Sequence, residues 1–394
     1  MNDRLRQRIP FEFTYSVFFV ERLFVPENRL FEELLEGDGD SGPRDVVFAL
    51  DNEVARLHPH LIPELLRRAG ANGGVWRLAG DPILIPGGET AKNSDDVVDE
   101  IHARVHGEGV CRHSYVVAIG GGGVLDAVGY AAATAHRGLR LIRVPTTVLS
   151  QNDSGVGIKN GINAFGKKNF LGTFAPPFAV LNDFSFLPTL EDRDWRSGIA
   201  EAVKVALIKD PAFFDFLESN AAGLVSRDLA PMRTLVRRCA ELHLGHISES
   251  GDPFELGSSR PLDFGHWAAH KLEQITGYAL RHGETVAIGI ALDCTYAHLA
   301  GLLPRRPWDR ILRLFEAVGL EIHLPFDVEA AEEASGFENL FAGLEEFREH
   351  LGGELTLLLV TDIGSSIEVH QVDRRRYVQA IRTLGARARQ EIDV

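Results

Sequence analysis

The chain is poor in sulfur, with three cysteines and two methionines in 394 residues. Cys111, Cys239 and Cys294 are odd in number and far apart, so they form neither a disulfide framework nor a cysteine metal site; free thiols fit a reducing compartment. Positive charge is also short. Lys and Arg number 41 against 56 Asp and Glu, a net charge of −15, which excludes a general nucleic-acid or anionic-membrane binder, since both need a positive field. Any anionic ligand must be held by locally gathered bases. No uncharged apolar run approaches the ~20 residues of a membrane span. The opening MNDRLRQRIPFEFTYSVFFVERLF places bases before an apolar stretch, but Glu12 and Glu21 interrupt it and no small-residue cleavage site follows. It reads as an edge strand rather than a signal peptide, and the expected location is cytoplasmic.

What is present is a globular composition, 45% apolar and 25% charged with 39 Gly and 18 Pro, and a length that suits two domains. The first half alternates β-rich runs with helical stretches: DVVFALD, a helix through HPHLIPELLRRAG, GVWRLAG, a loop PILIPGGETAKNS, a helix DDVVDEIHARVHGEG, SYVVAIGGGG, a small-residue helix VLDAVGYAAATAH and the strand LRLIRVPTT. This rhythm predicts an α/β domain with a mainly parallel, Rossmann-like sheet. GDGDSGPRD at 37–45 reads as a loop within it. From about Leu187 the pattern changes to long amphipathic helices, EDRDWRSGIAEAVKVALIKD, MRTLVRRCAELHLGHISES, PLDFGHWAAHKLEQITG and ETVAIGIALDCTYAHLAGLL, with a late strand at LTLLLVTD. We therefore expect a first domain over 1–186 and a mostly α-helical second domain over 187–394.

The run Ala118-Ile119-Gly120-Gly121-Gly122-Gly123 joins a strand to a helix. Backbone amides there can approach a pyrophosphate without Cβ obstruction, although four glycines also make a tight turn with no ligand. Asp51 ends an earlier strand, Asp126 lies one turn into the glycine helix, and Thr146 and Thr147 close another strand. All would fall on the C-terminal edge of a parallel sheet, which favours NAD over a purely structural turn. In the second half, Glu201 and Lys204 share a helix face, His266 and His270 share another, and His282 opens the next helix. Glu201, His266 and His282 offer one carboxylate and two imidazoles, the ligand set of a catalytic zinc-type site. With 15 histidines in the chain, a surface or core role remains the alternative for each, and His243 with His246 reads as a solvated or core face. Between Arg137 and Gly172, Arg137, Arg140, Arg143, Lys159, Lys167 and Lys168 face one acid, Asp153. The polar stretch 151–169 within that span reads as a flexible ligand-wrapping segment, and its charge suits a phosphorylated small substrate.

Taken in order, GGGGVLDAVGYAAATAHRG, RVPTTVLSQNDSGVGIKNGINAFGKKNFLGTF, LPTLEDRDWRSGIAEAVKVALI, LDFGHWAAH and HGETVAIG resemble the 3-dehydroquinate synthase superfamily of sugar-phosphate cyclases, over roughly 45–300. The resemblance implies an N-terminal NAD-binding domain, a helical metal domain, NAD with one divalent metal, zinc or cobalt, and a homodimer. It implies Glu201, His266 and His282 as metal ligands. Asp51, Glu89, Lys92, Asp126, Thr146, Thr147, Lys168 and Thr189, with Gly121, Gly122 and Gly123 of the turn, match the cofactor side. Asp153, Lys159, Asn169, Lys204, Glu255 and His270 match the substrate side, and Arg137 matches an arginine that reaches substrate phosphate from the neighbouring subunit. The implied reaction has no net redox change: a ring hydroxyl is transiently oxidised by NAD⁺, phosphate leaves by elimination, the hydride returns, the ring opens and an intramolecular aldol closes a carbocycle. This is carbon–oxygen lyase chemistry.

The chain departs from dehydroquinate synthases before the first metal histidine. There the family carries Asn, Arg and Lys that bind a carboxylated seven-carbon substrate; here stand Asp263, Ser259 and Gly245, with Arg260 and His246 each one residue out of register. Ser365 replaces a late lysine. An anion at 263 and the loss of charge-assisted donors worth ~1.5 to 3 kcal/mol each disfavour that carboxylate. The pattern resembles the branch that cyclises sedoheptulose 7-phosphate to valiolone-type cyclitols, and retention of His270 leans toward 2-epi-valiolone rather than 2-epi-5-epi-valiolone. The competing expectations are 3-dehydroquinate synthase itself, a metal-dependent polyol dehydrogenase with the same two-domain plan, and a binding protein that kept the scaffold.

Overall fold

A computed structural model describes residues 4–392 except 10, 38, 40, 41, 72, 258 and 327–335. The first half is built on a seven-stranded sheet. Its strands are β1 (Ser16–Val20), β2 (Arg44–Asp51), β3 (Trp76–Leu78), β4 (Ile83–Ile85), β5 (Tyr115–Gly120), β6 (Arg140–Pro145) and β9 (Ala179–Asp183), in the order β1-β9-β6-β5-β2-β3 with β4 also beside β2. Every pairing in it is parallel. The opening segment is thus an edge strand, as expected. β4 falls inside the stretch read as a loop, and three residues of the 37–45 loop lie outside the described residues.

Alternation along the central strands explains the layers. Val46, Phe48 and Leu50 of β2 with Tyr115, Val117 and Ile119 of β5 pack on one side against α1 (Leu30–Glu36) and α3 (Leu61–Ala71), which α2 (Asn52–Leu57) precedes. Val47 and Ala49 with Val116 and Ala118 face the other way, against α4 (Asp96–Gly107) and α5 (Gly122–Thr134). Both faces of these strands are covered, so they read as continuous apolar runs.

The stretch 151–169 is not a flexible wrap. Ser150–Ser154 forms a π-helical turn, and β7 (Lys159–Ala164) pairs antiparallel with β8 (Lys167–Phe174). Buried Gln151 donates to the carbonyls of Pro145 and Asp183, and buried Asn152 to Gly198. Arg143, fully buried on β6, donates to the carbonyls of Gly155, Gly157 and Lys159. It anchors the segment and is not a free charge for substrate. Arg140 lies over the Tyr115 ring and donates to His113, while Lys167 pairs with exposed Glu349. Much of the local positive charge read from the sequence is therefore occupied elsewhere.

The second half is mostly helical. α6 (Asp192–Lys209) follows a 3₁₀ turn at Phe184–Thr189 and leads through α7 (Pro211–Ser219) and α8 (Ala221–Val225) to α9 (Leu229–Glu249). α10 (His266–Ile275) and α11 (His282–Leu299) form a close pair, joined by α12 (Arg305–Ala317), α13 (Gly336–His350), the hairpin β10 (Leu357–Asp362) and β11 (Ser365–Val369), and α14 (Arg374–Ile392). One core spans these helices. Among the described residues no helix is long and apolar enough to cross a membrane.

Candidate active site

In a parallel sheet the strand ends share one edge, and here Asp51, Gly120 and Pro145 end β2, β5 and β6. Asp51 is buried, which raises its carboxyl, and it caps α2 by accepting from the Glu53 amide at 2.9 Å. The glycines beyond β5 do different jobs. A Cβ on Gly123 would stand 2.4 Å from the Gly88 carbonyl oxygen, and one on Gly122 would stand 2.7 Å from Ser154 Oγ. Those two glycines let neighbouring chain segments approach. Gly121, the N-cap of α5, has only the Thr147 methyl near its would-be Cβ, at 3.4 Å. It leaves an open cradle beside a helix N-terminus, the feature a pyrophosphate needs. Thr146 donates its amide to the Gly120 carbonyl at 3.0 Å, and Thr147 bonds Ser150 at 2.9 Å. Thr189 Oγ1 lies 3.0 Å from His58 Nε2.

A charged chain runs from this edge toward the helices. Lys92 pairs with Asp126 at 2.7 Å and with Asn169. Glu89 accepts from Asn163 at 2.8 Å and lies 3.9 Å from Lys168, whose ammonium binds both oxygens of Glu273 at 2.8 and 2.9 Å.

The metal-type residues meet because helices touch through glycine. A Cβ on Gly283 would lie 1.9 Å from the Ser197 carbonyl, so the start of α11 rests on α6 and brings His282 beside Glu201, one turn on. Gly265, at φ +77°, turns the chain into α10 against Gly289 of α11. As a result, ligand atoms of Glu201, His266 and His282 lie within 4.8 Å of one another. His266 Nε2 and His282 Nε2 stand 3.6 and 3.5 Å from Glu201 Oε1. These separations are too long for good hydrogen bonds and near the ~3.4 Å between neighbouring ligands at ~2.1 Å from one tetrahedral cation. Glu201 Oε1 is buried with no hydrogen-bond partner among the described residues, while Oε2 faces the Lys204 ammonium. His266 Nδ1 lies 3.0 Å from the Phe264 carbonyl, which leaves Nε2 unprotonated and turned to Glu201. This donor set fits one zinc-type divalent ion.

Around it stand residues that the resemblance matched to the substrate side. Lys204 is buried against Glu201; burial opposes its charge, but Glu201 and Asp153 hold its pKa above the usual lysine value. It is an ammonium donor. Asp153 lies 2.7 Å from His243 Nδ1 and, despite burial, is held well below the ordinary carboxylate range by Lys204 and His243. His243 therefore faces a candidate site residue rather than solvent, while His246 lies 2.9 Å from Lys209 Nζ. Lys159 pairs with Glu255 at 2.6 Å. Asp263 is pushed down to about 2, burial being outweighed by Lys159, His266, Lys204 and Arg260. The His270 ring lies 5.3 Å from that of His266 and 5.9 Å from that of His282. Asn169 and Glu255 carry positive φ, 54° and 49°, the kind of backbone strain that collects at functional sites.

Arg137 is the residue that does not join. It is exposed, at φ 65°, on the turn before β6, and therefore at the opposite edge of the sheet from Gly121 and Thr146. Sequence reading also passed over Glu273, Asn163 and His58. The HisXXXHisXXGlu spacing of His266, His270 and Glu273, which places Glu273 three residues along the His270 face, was an available signal.

Comparisons with known proteins agree with this arrangement. Two models of one family match in tandem, 3-dehydroquinate synthase N-terminal over residues 82–197 and C-terminal over 198–336. A 3-dehydroquinate synthase from Paracoccus denitrificans (strain Pd 1222) is 35% identical over 335 residues, 84% of this chain and 88% of that protein. Among solved structures, ValA, a 2-epi-5-epi-valiolone synthase from Streptomyces hygroscopicus subsp. jinggangensis 5008 with NAD⁺ and Zn²⁺ bound, matches with TM-score 0.84 at 30% identity, covering 97% of this chain and 100% of that one. A 2-deoxy-scyllo-inosose synthase complexed with carbaglucose-6-phosphate, NAD⁺ and Co²⁺ shares the fold at TM-score 0.75 and 23% identity, covering 93% and 96%. The tandem domains, the relative's identity over most of both proteins and the shared architecture agree: the chain belongs to the 3-dehydroquinate synthase family of sugar-phosphate cyclases, which are carbon–oxygen lyases.

Proposed function

We propose that the protein is an NAD- and divalent-metal-dependent cyclase that converts sedoheptulose 7-phosphate to a valiolone-type cyclitol, 2-epi-valiolone in the first instance, with release of phosphate. Bound NAD would supply a reversible hydride acceptor, and a zinc or cobalt ion on Glu201, His266 and His282 a Lewis acid for a substrate hydroxyl. The open cradle at Gly121 supports the first, and Glu201 Oε1, unpartnered between two imidazoles while Oε2 faces Lys204, supports the second. Asp51 takes the ribose hydroxyls, and Glu89, Lys92, Asp126, Thr146, Thr147, Lys168 and Thr189 complete the cofactor side. Lys204 and Lys159 donate to substrate oxygens, Asp153 with His243 fixes a hydroxyl, and Asn169 and His270 hold phosphate, whose own oxygen takes the proton in elimination. Glu255 keeps Lys159 oriented. The reading further takes the protein as a cytoplasmic homodimer with domains at 1–186 and 187–394, in which Arg137, remote from its own site, reaches the neighbour's phosphate.

The observation that carries the substrate is Asp263. It stays anionic where a substrate carboxylate would lie. The out-of-register Arg260 already sets its charge against Asp263 and Glu255, and His246 is engaged with Lys209. Purified protein with NAD⁺ and Zn²⁺ or Co²⁺ is offered sedoheptulose 7-phosphate and, separately, the carboxylated seven-carbon substrate of dehydroquinate synthase. Phosphate release and an NMR-identified cyclitol are expected from the first alone, with no net NADH. The 35% identity to a named 3-dehydroquinate synthase favours the second reading, and turnover of the carboxylated sugar alone would establish it in place of ours.

A further inference from the structure

We propose that Glu273 is a positioning residue that serves the metal and the cofactor together, so that the two bind cooperatively through its one carboxylate. This rests on the reading of Glu201, His266 and His282 as metal ligands and of Lys168 as a cofactor-side residue. Glu273 lies on α10 and is only 3% exposed. Its Oε1 stands 3.3 Å from His282 Nδ1, on the side of the ring opposite Nε2, which faces Glu201. No well-aligned hydrogen bond joins the two without a metal, but a carboxylate in that place draws the proton to Nδ1 and leaves Nε2 for a metal, as the outer partner of a metal-bound histidine does. The same carboxylate binds the Lys168 ammonium of β8 through both oxygens, and Lys168 in turn approaches Glu89.

Glu273, His270 and His282 also form a second cluster of metal-ligating types. Lys168 engages both oxygens of Glu273, whereas Lys204 takes only Oε2 of Glu201 and leaves Oε1 to the imidazoles, so Glu273 has no oxygen left for an ion. The arrangement therefore favours a shared acceptor over a ligand. The sign of the coupling follows. A metal on His282 Nε2 makes the Nδ1 proton a stronger donor and draws Glu273 toward the ring. Its hold on Lys168 loosens, and the ammonium turns toward Glu89 and the cofactor. Metal should tighten NAD and, by linkage, NAD should tighten metal equally.

The test measures dissociation constants for Zn²⁺ and for NAD⁺, each with and without the other, in the full-length protein, together with the visible spectrum of the Co²⁺ form. In the unaltered protein, metal is expected to tighten NAD by about fivefold or more. Glu273→Gln keeps an acceptor for Nδ1 but loses the charge, so metal should weaken by about 10- to 100-fold, the coupling factor should fall to about one, and the Co²⁺ spectrum should keep its band shape. Lys168→Met should hold metal affinity near the unaltered value and also lose the coupling. It carries the test if Glu273→Gln does not fold. A purely structural Glu273 would lower stability and leave the ratio between the two NAD constants unchanged. Coupling that survives in both variants overturns the proposal, as does a Co²⁺ spectrum of altered coordination in Glu273→Gln. Unaltered protein that binds neither metal nor NAD overturns the functional reading beneath it.

Discussion

The glycine turn and the cluster of Glu201, His266 and His282 are the two halves of the proposed site, and they are made by opposite means. At Gly121 the missing side chain leaves the backbone open to a ligand, while at Gly122 and Gly123 it lets Ser154 and Gly88 pack close. At Glu201, His266 and His282 the side chains themselves would meet the ligand, brought together from three helices with Glu201 and His266 buried and His282 half-buried. The first kind of site is local: a few consecutive residues specify it. The second depends on where α6, α10 and α11 cross, and those crossings depend on glycines, Gly283 and Gly265, that are not ligands. The two halves should therefore fail differently when altered.

The largest effect is expected in the metal half. Glu201→Ala removes the one anionic ligand, leaves buried Lys204 without its partner, and should weaken metal binding by more than about 100-fold, beyond what losing an outer partner costs. Equilibrium dialysis of zinc would measure it. NAD affinity in the absence of metal should stay near its original value; if it collapses as well, the halves are not separable and the contrast drawn here fails.

The glycine half offers a finer division. Gly123→Ala drives a methyl into the Gly88 carbonyl, and overpacking of that kind costs ~1 to 3 kcal/mol, so both melting temperature and NAD affinity should drop. Gly121→Ala meets only the Thr147 methyl at 3.4 Å, with φ at −75° where alanine is comfortable. Its melting temperature should hold while NAD weakens about tenfold, ~1.4 kcal/mol. Thermal unfolding beside NAD titration reads both. Equal loss of stability in the two variants would mean that Gly121 is a packing glycine and that no cradle exists.

The same contrast explains what the sequence made legible. Strands and helices with strong periodicity, such as β2, α4, α6 and α11, lie where the pattern put them, because burial on one or both faces is written into consecutive residues. β4 leaves no strand pattern in the sequence because its three residues are too few to show one. The β7 and β8 hairpin was hidden because its polar residues, Asn160 and Asn163 among them, bond across to Arg143 and Glu89 instead of signalling a loop. The candidate ligands were visible as residue types, but the role of Arg143 was not. A buried arginine that bonds backbone carbonyls looks in sequence like any other base, and only the packing separates it from Lys204. Glu273 and His243 were hidden for the complementary reason: each becomes meaningful through a partner more than eight residues away, His282 or Asp153.

The smallest effect expected is in pH, and it concerns the interior behind the metal half. Asp293 of α11 is buried and accepts from Trp267 Nε1 at 2.9 Å and from the Tyr377 hydroxyl at 2.8 Å, tying α10 and α14 to α11. Burial outweighs those donors and raises its pKa to about 7, against ~3.9 in an unfolded chain. Between these values the folded protein holds a proton that the unfolded chain has released. Its contribution to stability is therefore complete below pH ~4 and is lost as pH rises through about 7. Asp293→Asn removes that proton equilibrium while keeping the shape. Denaturant midpoints of the metal-free protein at pH 5 and pH 8 should differ less in the variant than in the original. An equal pH dependence in both would show that Asp293 is ionised throughout, held by Trp267 and Tyr377 more strongly than burial opposes it.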